Sequence, residues 1–242
     1  MPSLLVLGDS LAFHGPQGPV PPTHAGLYPR VCASALGEGV DIHLHARPGW
    51  TMRDAWWALT KDPIIWGVHL PRAAGMVIGV GGMDQLPAAV PMWWRESVPY
   101  LRPGSLRRGV RRALLSSSPG IIRATGGRLR QLPMRVTEHY LARIVQATRH
   151  FRPDLPIVVL GPSPHRASAY PSQRHHGAAV LSMAAAAREL GCEFIDVDPL
   201  VEPSLLDGTG NPDGLHWSWS AHEAVGCALA AGLRAGGWRG TD

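Results

Sequence analysis

Cysteine is scarce: Cys32, Cys192 and Cys227 are the only three in 242 residues. Their number is odd and no two stand at a metal-ligand spacing. Neither a disulfide framework nor a cysteine-bound metal is therefore expected, and reduced thiols in a cytoplasmic protein fit. Long apolar runs are also missing. The longest, near Ala178 to Ala187, is too short and too rich in alanine to span a bilayer. The N-terminus lacks the basic, apolar and small-residue succession of a secretory leader. No internal repeat is visible. Apolar content is ordinary at 45%, which argues against disorder for the bulk of the chain. The length suits one α/β domain over 1–242 with a substantial core.

Acidic residues are missing from one segment in particular. Residues 93–130 hold nine arginines against one acid, Glu96, so the formal charge of +5 is local and the remainder is slightly acidic. Within that segment Leu106, Val110 and Leu114 recur every fourth residue, with Arg107, Arg108, Arg111 and Arg112 between them. This spacing predicts an amphipathic basic helix. Gly and Pro at 103–104, 119–120 and 126–127 are expected to break the segment into pieces. It has too few apolar residues for its own core and reads as an insertion, at about 88–132, over a sheet. A basic helix can hold RNA or an anionic surface, but no RRM, KH or helix-turn-helix signature accompanies it.

Strand-like runs alternate with helical ones along the rest. Leu4-Leu5-Val6-Leu7 is an apolar run of strand length, as are the stretches at 74–80, 157–160 and 193–197, while residues 40–46 alternate with period two. Helices are expected at about 27–36, from Thr51 or Asp54 through Trp57, at 135–151, at 172–190, and from Ser218 or Ser220 to about Leu233. Five strands separated by helices imply a parallel sheet covered on both faces. His43 and His45 share one face of the second strand; zinc ligation there would need a third ligand, and surface histidines are the simpler reading.

The first strand runs directly into Gly8-Asp9-Ser10-Leu11. In an open α/β sheet, ligands bind beyond the carboxyl ends of the strands. Ser10 is thus placed for chemistry, although Gly-Asp-Ser also makes an ordinary turn and cap. Asp213 and His216 stand three apart on a loop bounded by Gly and Pro. There an aspartate can orient an imidazole whose other nitrogen faces a hydroxyl. Alone, this D-x-x-H spacing is weak.

Taken together, Gly8-Asp9-Ser10-Leu11 after strand one, Gly49 after strand two, Gly81-Gly82-Met83-Asp84 after strand three and Asp213-x-x-His216 before the last helix occur in the order of the SGNH (GDSL) hydrolases, which the chain resembles. The resemblance implies a flavodoxin-like three-layer sandwich with a five-stranded parallel sheet, the arginine-rich helical segment being an insertion. It implies Ser10 as nucleophile, His216 as general base and Asp213 as its orienting partner, with oxyanion donors in the backbone N–H groups of Ser10 and Gly49. The family's usual asparagine after strand three is replaced by Met83, which has no donor. Leu86-Pro87, Trp50-Thr51 with Arg53-Asp54, and His216-Trp217-Ser218 resemble a branch of this family, and that resemblance implies transfer of an octanoyl group from its coenzyme A thioester to a glucosylglycerate-type acceptor in methylglucose lipopolysaccharide biosynthesis. On that reading acyl-CoA is a substrate, and neither a cofactor nor a metal is needed. Trp50, Met83, Asp84 and Trp217 become candidate substrate contacts. Arg107, Arg108, Arg111 and Arg112 would meet phosphates or a glycerate carboxylate. An esterase or thioesterase with the same three residues is the first alternative; a catalytically impaired anion- or RNA-binding module is the second.

Overall fold

The computed structural model describes residues 1–239; the domain boundary drawn to 242 lies outside them. Five parallel strands form one sheet: β1 (Ser3–Gly8), β2 (Asp41–Ala46), β3 (Ala73–Gly79), β4 (Ile157–Leu160) and β5 (Glu193–Ile195), in the order β2-β1-β3-β4-β5. This is the flavodoxin-like order, whose switch point lies between β1 and β3. The register there matches Gly8 with Ala46 on one side and with Gly79 on the other.

Because side chains alternate across a strand, β1 feeds two cores. Leu5 and Leu7, with Met76, Ile78 and Val159, pack under helices α2 (Met52–Lys61), α4 (Met134–Phe151) and α5 (His176–Glu189). Leu4 and Val6, with Val77 and Val158, pack under α1 (Tyr28–Leu36) and α7 (Trp219–Ala235). The last two helices meet closely: a Cβ at Gly226 would lie 2.6 Å from Val31 Cβ. Thr51 begins α2 in a capping box with Asp54, and Ser218 caps α7 by accepting the Ala221 N–H.

Three expectations need correction. The arginine-rich helix α3 (Gly104–Thr125) does not break at Pro119-Gly120 but runs through them. Just before the proline, the hydroxyls of Ser116, Ser117 and Ser118 bond back to the carbonyls of Ala113 and Leu114. A helix absent from the sequence reading, α6 (Asp198–Leu206), follows a shorter β5. Its two prolines obscure the helical pattern. The edge histidines also acquire a neighbour: His43 stacks on His69 at 3.9 Å, and His45 Nε2 lies 2.7 Å from His69 Nδ1.

The arginine-rich segment leaves the core through an antiparallel neck. Ala88 N–H donates to Leu129 O, Gln131 N–H to Leu86 O and Leu132 N–H to Asp84 O, at 2.8–3.0 Å.

Candidate active site

Asp9 and Ser10 emerge from β1 at the switch point. The Asp9 side chain accepts the Leu11 N–H at 3.0 Å and caps a single 3₁₀ turn, Ser10–Ala12, which turns the Ser10 hydroxyl away from the sheet. Two glycines make room for this. A Cβ at Gly8 would stand 2.9 Å from Ala12 Cβ, and one at Gly79 would stand 2.5 Å from the Tyr28 hydroxyl. Asp9 is buried, and desolvation pushes its pKa up to about 7.

The loop between α6 and α7 supplies the partners. His216 Nε2 lies 2.9 Å from Ser10 Oγ, closing a contact between residues 206 apart, and His216 Nδ1 lies 2.6 Å from Asp213 Oδ2. The carboxylate must accept, so Nδ1 carries the proton and Nε2 is bare toward the serine hydroxyl. Asp213 Oδ1 also accepts the backbone N–H groups of Leu215 and His216. Partial burial works to raise the Asp213 pKa, but these donors and the imidazole outweigh it and hold the carboxyl below its usual range. Burial lowers the His216 pKa despite the pull of Asp213, so the ring is neutral near pH 7. A hydroxyl, a bare imidazole nitrogen and an ionised carboxylate in this sequence can transfer a proton from Ser10 onto His216 as Ser10 attacks a carbonyl.

The backbone N–H groups of Ser10 and Gly49 have no hydrogen-bond partner among the described residues. Gly49 sits at φ +73° in a turn closed by Trp50 N–H to Arg47 O, a conformation that favours glycine. The Met83 methyl comes within 3.9 Å of where a Gly49 Cβ would lie.

Beside Ser10 is an apolar cavity lined by Leu11, Met83, Leu86, Pro164, His165 and Leu215. Met83, in the place of a side-chain donor, is thus a wall of this cavity. Met83→Asn is expected to lower turnover of an octanoyl ester about 10-fold or more relative to an acetyl ester, since an apolar contact of this size is worth about 1–3 kcal/mol. The ratio of kcat/KM for the two nitrophenyl esters measures it, and an unchanged ratio would remove Met83 from the acyl path.

The other candidate contacts sit elsewhere. Asp84 is fully buried and accepts from Met52 N–H and Thr137 Oγ1, so it braces α2 and α4 and is closed to a substrate. Trp217 is 1% exposed, and its indole N–H donates to Ser163 Oγ beneath the cavity. Trp50 lines a separate open cleft along the sheet edge with Arg47, Trp57 and Lys61. Arg107, Arg108, Arg111 and Arg112 lie on the outlying part of α3, and none of them lines the cavity at Ser10.

Two histidines, one in the cavity wall and one against His216, carried no signal in the sequence. His165 is buried in the cavity wall, and its pKa is lowered by burial to about 4. His14 lies face to face with His216, the ring centroids 3.6 Å apart. Among the described residues, three potential metal-ligand side chains converge at His14, Asp213 and His216. Both nitrogens of His216 and Nδ1 of His14 are already engaged in hydrogen bonds there.

Comparison with known proteins places this geometry in context. The model of the GDSL-like lipase/acylhydrolase family matches residues 6–224. The chain is 39% identical over 226 residues to the diglucosylglycerate octanoyltransferase of Mycolicibacterium hassiacum, covering 93% of this chain and 91% of that one. It is equally identical to the protein of the same name from Mycobacterium tuberculosis, covering 89% of it. Among solved structures, the lipase/acylhydrolase from Enterococcus faecalis superposes with a TM-score of 0.63 at 16% identity, over 97% of this chain and 96% of that one. A carbohydrate acetylesterase family member from Sinorhizobium meliloti does so with 0.61 at 18%, over 98% and 99%.

Proposed function

The chain belongs to the GDSL-like lipase/acylhydrolase family, and from that premise we propose that it is an acyltransferase that moves an octanoyl group onto diglucosylglycerate or a closely related glucosylglycerate through an acyl-Ser10 intermediate. The observation that carries this reading is the 39% identity to two octanoyltransferases over 93% of the chain. The contacts from Ser10 to His216 to Asp213 support it.

The donor is octanoyl-CoA on this reading. Ser10 Oγ attacks the thioester carbonyl while His216 Nε2 takes its proton. The oxyanion is held by the N–H groups of Ser10 and Gly49. The C–S bond breaks, and His216 returns the proton to the leaving thiolate. A sugar hydroxyl then gives its proton to His216 and attacks the acyl-serine; the new ester forms, and the proton passes back to Ser10 Oγ. Asp213 stays ionised throughout and balances the imidazolium. Transfer outruns hydrolysis because a bound hydroxyl has an effective molarity far above that of bulk water, up to about 10⁵ M or more in well-oriented systems. No described helix is long and apolar enough to cross a membrane, and we place the reaction in the cytoplasm, where acyl-CoA is held.

Octanoyl-CoA incubated with diglucosylglycerate should yield CoA and a sugar octanoyl ester in equal amounts, with slow octanoate release when the acceptor is left out. Mass spectrometry of all three products measures this. Equal octanoate release in both reactions, with no ester, would make the protein a thioesterase. In the same assay, charge reversal at Arg107, Arg108, Arg111 and Arg112 should raise the donor KM roughly 10-fold while sparing a small uncharged ester. Equal effects on both would remove α3 from donor binding.

A further inference from the structure

We propose that His14 is a positioning residue for His216, the fixed face against which the general base lies. The inference rests on His216 acting as that base.

His14 is not loosely placed. It opens a short hairpin in which His14 pairs with Pro19 and Gly15 with Gly18. Its Nδ1 lies 3.0 Å from Gly15 O, and since a carbonyl only accepts, Nδ1 carries the proton. Its carbonyl is held from behind by His222 on α7, a histidine with no exposed surface. The Tyr28 N–H donates to His222 Nδ1 at 3.2 Å, so His222 Nε2 carries the hydrogen and donates it to His14 O at 3.1 Å. Burial lowers the His222 pKa to about 4, which keeps its ring neutral near pH 7. Trp219 closes the hairpin from the other side: a Cβ at Gly15 would fall 2.4 Å from its ring.

The hairpin therefore presents one imidazole, rigidly, to the triad. The ring planes of His14 and His216 differ by 17°. An imidazole held by one hydrogen bond to a carboxylate can still rock about that bond. A flat partner on one face removes the freedom and keeps Nε2 aimed at Ser10 Oγ. Burial is the main cause that lowers the His216 pKa, and His14 across the stack adds to it in the same direction. The titratable groups that face His216 from the surrounding elements are Asp213 on its own loop, His14 on the hairpin, Asp9 at the end of β1, His165 in the cavity wall and His222 behind His14. Of these, His14 alone stacks on the ring.

Two variants separate stacking from charge. His14→Phe keeps a flat face and cannot titrate; His14→Ala loses both. The rate of Ser10 labelling by a fluorophosphonate is measured from pH 5 to 9, and the His216 ring is titrated in parallel by NMR. The expected result is a labelling rate at pH 8 at least about 10-fold lower for His14→Ala but within a few-fold of wild type for His14→Phe. For His14→Phe the acid limb and the NMR titration of His216 should both move to higher pH, since His14 is one of the groups that lower the His216 pKa. Thermal melts report whether either variant unfolds. Wild-type labelling rates and an unmoved His216 titration in both variants would overturn the proposal. A wild-type protein that never labels at Ser10 is a different outcome, which overturns the base-and-nucleophile reading and this inference with it.

Discussion

Replacing Ser10 or His216 by alanine is expected to lower acyl turnover by on the order of 10⁴–10⁶-fold, and replacing both should cost little more than either alone. The reason is geometric. Ser10 Oγ and His216 Nε2 share one hydrogen bond at 2.9 Å, so each is useless to the reaction without the other. Asp213→Ala should be milder, on the order of 10⁴-fold, because it removes the 2.6 Å acceptor that fixes the tautomer but leaves the base in place. Steady-state kinetics with octanoyl-CoA and with an octanoyl nitrophenyl ester measure the four variants against wild type. A Ser10→Ala enzyme within tenfold of wild type on either substrate would exclude acyl-Ser10 as an intermediate.

The next largest effect is expected at a residue with no side chain. Gly214 lies between Asp213 and His216 at φ +72°, and a Cβ there would stand 2.6 Å from the Arg166 carbonyl carbon and 2.7 Å from Ala167 N. Gly214 O also accepts the Arg166 N–H at 2.8 Å, so the catalytic loop and the 163–167 segment are joined where they press closest. Alanine costs about 1–2 kcal/mol for the left-handed backbone alone, and the atoms it would meet are the backbone of Arg166 and Ala167, with no flexible group to yield. The loop must move off its neighbour. A displacement near 1 Å at the reacting groups is worth on the order of 10²-fold in rate. Gly214→Ala should therefore lower kcat by about that factor and lower Tm by several degrees. A wild-type kcat would mean that the loop absorbs the methyl elsewhere and that its close seat on residues 166–167 has no part in aligning His216.

How far the chain could be read before its fold was known depended on the range of each interaction. The β1 run, the Gly-Asp-Ser turn and the Asp213-x-x-His216 spacing are local patterns, and the structure brings those three side chains together. The five parallel strands follow from equally local apolar runs. Side-chain burial is not local. Asp84 and Trp217 sit beside residues of the site in sequence yet face inward, toward Thr137 and Ser163, and only the packing of α2, α4 and the last loop determines that. The stack of His14 on His216 joins a loop near the start of the chain to one near its end, and the residue types alone do not announce it. Pro119 misleads for the opposite reason. It is a strong local signal, yet the helix runs through it over Gly104–Thr125.

The bond between Ser10 and His216 spans 206 residues, which ties reactivity to the order in which the chain is made. While the ribosome is still producing α5 and β5, the first strand can already exist with its serine, but no base has yet been synthesised. Without its base the hydroxyl is an ordinary alcohol. On the proposed mechanism, a chain cut short before the last loop lacks its base, and Ser10 is armed only once the loop that carries Asp213 and His216 has been made.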